Sequence, residues 1–108
     1  MVREINESDW KLFRKFQPIA LERFCQHVLS EVGRLASETG KSSHEQYLAL
    51  FKLIERRDKE LADAFNDLRR STALLQLARI QSHELLTDEE FARFSAEARG
   101  AVQVFLQG

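Results

Sequence analysis

Cys25 and the three histidines, His27, His44 and His83, are the side chains here best suited to metal or nucleophile chemistry. A di-iron carboxylate bundle needs Glu-x-x-His pairs projecting inward from its helices. The residues three positions before the histidines are Phe24, Lys41 and Ile80, so no such pair exists. His44-Glu45 is not followed by x-x-His, which removes the zincin motif. Cys25 and His27 lie two residues apart and point to different faces of a helix, so they do not converge on one ion. Cys25 also shares an apolar stripe with Leu21, Val28, Val32 and Leu35, a setting that suits a structural thiol better than a nucleophile. Gly40-Lys41-Ser42 matches only the tail of a phosphate-binding loop, without its first Gly or a preceding strand. The expectation is no catalytic residue, no metal ligand and no cofactor, with an enzyme ranked last among the functions considered.

Charge offers two further candidates. Sixteen Lys and Arg against seventeen Asp and Glu leave a formal net charge of -1, far from the strongly basic footprint of a nucleic-acid coat. Arg56 and Arg57, then Arg69 and Arg70, still form two basic clusters, and Arg56 and Arg70 are spaced to share a helix face. Such a patch would grip phosphates. Glu55, Glu60, Asp63 and Asp67 interleave with it, and a solvated, salt-bridged face is the commoner outcome. Asp58 sits between Ile54 and Leu61 in an apolar heptad frame, where a carboxylate needs water or a partner. A bend would expose it to water. Alternatively, a buried ion pair with Arg14, Arg34 or an arginine of another chain would fix helix register.

The elements that must position these residues are helices. Four Gly and one Pro in 108 residues leave few breakers, and the rest is rich in good helix formers. Asn6 or Ser8 caps a short first helix over about 8–16, and Pro18 starts a second over about 18–37. A loop at 38–42 contains Gly40, and Ser42 with Glu45 forms a capping box. From Tyr47 the apolar frame runs through Phe51, Ile54, Leu61, Phe65, Leu68 and Leu75 without Gly or Pro, predicting one long or broken helix over 43–83. Thr87 with Glu90 caps a helix over 88–94, and Ser95 one over 96–106.

Length decides how these pack. One domain over 1–108 is expected, all-α, a compact bundle of five or six helices around a long or kinked central one. An unbroken helix over 43–83 would span about 58 Å, beyond the roughly 34 Å diameter of a compact chain this size. Either the chain bends, at Arg57-Asp58 or Arg70-Ser71, or a second chain covers the overhang. Leu74, Leu75, Leu77 and Ile80 lie in a segment apolar all round, which is buried on more than one side. These four are the candidate interface.

Leu85-Leu86-Thr87-Asp88-Glu89-Glu90-Phe91 resembles the "LLTxEEF" helix of short bacterial C-terminal oligomerisation modules. The similar stretch, 75–94, is about a fifth of the chain and carries Glu84 where those modules have Gly. The resemblance implies self-association and a bacterial source. From the segment apolar all round and the overhanging length, the expected function is a non-enzymatic protein–protein interaction or oligomerisation module, a homodimer or a binder of another protein. A nucleic-acid-associated regulator using the arginine face is the alternative. No run reaches the ~20 apolar residues of a membrane span. The opening Met1-Val2-Arg3-Glu4 lacks a secretory core, so a cytoplasmic location is expected.

Overall fold

The computed structural model describes residues 4–108, and all regular structure among them is helical. Met1, Val2 and Arg3, where the leader reading begins, lie outside the described residues. Five α-helices follow in order: α1 Glu7–Ala36, α2 Ser43–Phe65, α3 Ala73–Ser82, α4 Asp88–Ala92 and α5 Ala96–Gln107. A 3-10 turn at Arg70–Thr72 leads into α3. The fold class is all-α, as composition implied.

The expected break at Pro18 does not occur, and α1 is one helix of 30 residues. Its cap is Asn6, whose Oδ1 accepts from the Asp9 amide at 2.8 Å. Pro18 is exposed, so the turn that lacks its amide lies toward water, where a lost hydrogen bond is tolerated. Phe13, Phe16 and Phe24 flank it on the opposite side, all buried. Burying them stabilises the continuous helix by about 5–9 kcal/mol, which outweighs the roughly 3 kcal/mol cost of an interior proline.

The long frame after Tyr47 is cut at 66–69, just before Arg70-Ser71 and well past Arg57-Asp58. Asn66 turns extended and Asp67 becomes left-handed with φ 65, a region Asp enters more readily than most residues. Side chains then take up the carbonyls that the helix releases. Gln76 Nε2 donates to the carbonyls of Asn66 and Asp67. The Thr72 hydroxyl donates to those of Asp67 and Arg69, and Arg79 Nη1 to that of Asp63 at 2.9 Å. Asn66-Asp67 is the sequence signal for this bend, weaker than a Gly or Pro but of the same kind.

Released by that bend, α3 runs through the centre, packed by α1, α2 and α5. Ala73, Leu74, Leu77, Ala78 and Ile80 are all buried there. Leu85 and Leu86 fill the space under the next turn, and the Thr87 and Glu90 capping box opens α4, which ends at Ala92 rather than near 94. Asp9 is buried and binds the start of α5, accepting from the Ser95 amide at 2.9 Å and its hydroxyl at 2.5 Å. Beyond this core, α1 and α2 continue as an antiparallel hairpin. It draws the molecule out to 52 × 25 × 23 Å.

Candidate protein-docking site

The expected interface turns inward. Leu74, Leu77 and Ile80 are buried inside the chain's own core and Leu75 is half-buried, so this face is not on offer to a second chain. Its all-round apolar character is met by α1, α2 and α5 of the same chain. That corrects the assignment: the segment is apolar on every side because it is central.

The basic patch does not assemble either. Arg57 is held by Glu31 at 2.5 Å and Glu60 at 2.7 Å, and Arg69 by Asp67 at 2.5 Å. Arg70 reaches back to Glu7 at 2.8 Å and to the Ile5 carbonyl. Of the four arginines, only Arg56 has no carboxylate within ion-pair distance among the described residues. The bend at 66–69 also removes Arg69 and Arg70 from the helix that carries Arg56 and Arg57, so the two clusters share no face.

Asp58 is exposed and makes no ion pair among the described residues. Arg14, one of its proposed partners, lies instead over the Trp10 ring, 5.3 Å from its centre. The buried intrachain pair is therefore absent, because Asp58, like Tyr47, Phe51 and Ile54 before it, faces outward, whereas Leu61 and Phe65 further along α2 turn toward the core. His27 and His83 come together with Arg57, Ser82 and Glu84 around a depression of about 250 Å³, a pairing 56 positions apart that spacing does not reveal. His83 packs edge-on against Phe24 at 5.5 Å, and Arg57 there is already neutralised by its two glutamates. His44 is exposed on the first turn of α2, and no group of three His, Cys, Asp or Glu among the described residues is placed to hold a metal.

What the hairpin leaves open is an apolar flank. One row of α2 meets α1 and the loop after it: Leu53 is buried, Gln46 donates to the Glu38 carbonyl of the loop at 2.8 Å, and Arg57 pairs with Glu31 of α1. Each residue turns a helix by about 100°, so Ile54 stands a quarter-turn from Leu53, and Tyr47 and Phe51 follow it further out. Tyr47, Phe51 and Ile54 are 63%, 55% and 46% exposed, and Leu29 of α1 on the same side is 67% exposed. Between the helices, Cys25, Val28, Leu29, Ile54 and Leu61 line a groove of about 240 Å³. The other flank is charged, with Arg34, Lys52 and Arg56 around its groove.

Sequence reasoning found this stripe as a heptad frame, left open whether a bend or a second chain accommodates it, and placed the interface at Leu74, Leu75, Leu77 and Ile80 instead. The missed signal is that α2 carries apolar residues at adjacent positions, Leu50 with Phe51 and Leu53 with Ile54, more than one neighbour can cover. The remaining question is what covers the second row. No helix among the described residues is long and apolar enough to cross a membrane. Compared with known proteins, the chain matches no family model, no curated protein and no solved structure.

Proposed function

We propose that this chain is a non-enzymatic protein–protein interaction module that docks a protein through the apolar flank of its α1–α2 hairpin. The observation that carries this is the exposed run of Tyr47, Phe51 and Ile54 on a helix whose other apolar row is already buried. A contiguous apolar patch of this kind on an otherwise charged chain marks an interaction surface. A cytoplasmic setting accords with Cys25, a free thiol half-exposed at the edge of the groove. The arginine alternative has less to support it, since three of its four residues are paired with carboxylates.

The test separates docking from folding. Replacing Phe51 and Ile54 together by Lys is expected to change the unfolding free energy by less than about 1 kcal/mol in dilute protein, where nothing covers the flank. Leu53→Lys, on the buried row, is expected to cost more than about 3 kcal/mol. A photo-reactive benzoylphenylalanine in place of Phe51, in cells making the protein, should capture one discrete protein adduct. The same group in place of the exposed Gln103 should not. Equal labelling from both positions would sink the proposal, as would strong unfolding of the double variant.

A further inference from the structure

Resting on the docking flank proposed above, we infer that its occupant is a second copy of this chain, with α2 packed antiparallel against α2 of the partner and Tyr47 of each copy donating to Asp58 of the other. The stripe is self-complementary about a midpoint between Phe51 and Ile54. Tyr47 stands four residues before Phe51 and Asp58 four residues after Ile54. An antiparallel pair centred there sets Phe51 against Ile54 and Tyr47 against Asp58. Asp58, when ionised, only accepts hydrogen bonds, and the Tyr47 phenol can donate one. Both side chains are exposed in the single chain, and neither has a hydrogen-bond or ion-pair partner among the described residues. A parallel pair would set Asp58 against its own copy, and two like charges brought into an apolar seam repel.

Leu29 of α1 stands exposed beside the α2 stripe, and two hairpins face to face complete a four-helix bundle. The seam position of Asp58, without a role inside one chain, becomes the feature that selects orientation.

Mixed cross-linking reads the geometry. In a Cys25→Ser background, chains bearing Tyr47→Cys are mixed with chains bearing Asp58→Cys and treated with a short bifunctional maleimide. Cross-links should form across the mixture and be scarce in either population alone. Cross-linking within each single population would mean a parallel pair and overturn the register. A dimer by sedimentation equilibrium with no cross-link between the two positions would overturn it as well. The wild-type chain sedimenting as a monomer at about 100 µM, a regime where a specific dimer is populated, would overturn the second copy. A discrete adduct of a different protein from position 51 would then leave the docking proposal standing alone. Tyr47→Phe, which removes only the donor, should raise the dimer Kd about 10-fold or more. An unchanged Kd would remove the hydrogen bond from the inference.

Discussion

Glu90 does two jobs with one carboxylate. It caps α4, accepting from the Thr87 amide at 2.8 Å, and it binds Arg23 of α1 at 2.6 Å and 3.0 Å. Arg23 also donates to the Leu85 carbonyl at 2.8 Å, so a single guanidinium fastens the α3–α4 turn to α1. The Arg23 hydrogen bonds hold the Glu90 carboxyl down at about 2, against the opposing effect of partial burial, with the Thr87 amide helping. A folded-state pKa below the unfolded one stabilises the fold above the unfolded value, and that stability is lost as pH falls from about 4.5 toward 2. Glu90→Gln should therefore cost about 1–2 kcal/mol near neutral pH, or roughly 5–10 °C in Tm. The difference from wild type should shrink as melts are run down to pH 2. A constant difference across that range would show that the charge is not what matters. The Thr87 and Glu90 box is legible in the sequence because two residues three positions apart define it. The Arg23 partner, 67 positions away, is not, because nothing local specifies a contact made by packing.

At the scale of elements, the two breaks show how tertiary burial overrides local rules in both directions. Pro18 carries the strongest helix-breaking signal in the chain, and α1 runs straight through it because Phe13, Phe16, Ala20 and Phe24 must all reach one core. Asn66-Asp67 carries a mild one, yet the chain turns there. Thr72 in the 3-10 turn, with Gln76 and Arg79 in α3, takes the freed carbonyls. Helix class and caps were therefore readable from pattern, whereas the continuity through Pro18 and the bend at 66–69, expected at Arg57-Asp58 or Arg70-Ser71, depended on partners far along the chain. Pro18→Ala should restore the amide hydrogen bond on an exposed turn and stabilise the protein by about 1–2 kcal/mol. Urea unfolding monitored by circular dichroism measures it. A loss of stability would mean that the proline is needed where it stands, for instance by narrowing the unfolded ensemble.

The whole molecule is longer than its residue count requires. Its radius of gyration is 16.6 Å, against about 13 Å for a compact chain this size. The excess is the distal hairpin, residues 28–36 and 43–54, which projects from the core that α3 organises. The sequence-level conflict between helix length and chain size is thus resolved in two parts: the bend at 66–69 shortens the run, and an overhang still remains. Leu74, Leu77 and Ile80 were plausible contact residues only while the position of α3 was unknown, since periodicity reports how many sides are apolar and not what covers them. A two-helix hairpin that buries one apolar row and leaves the other in water is less covered than the core, so its amides should exchange with solvent by local opening. Association that covers the flank adds stability that rises with protein concentration. Hydrogen exchange followed by mass spectrometry at low and high micromolar concentration should show the distal hairpin becoming slower, while peptides containing Leu77 and Ile80 stay unchanged. Protection of the hairpin that is strong and independent of concentration would mean that the two helices need no partner, and the apolar flank would then lose its claim as an assembly surface.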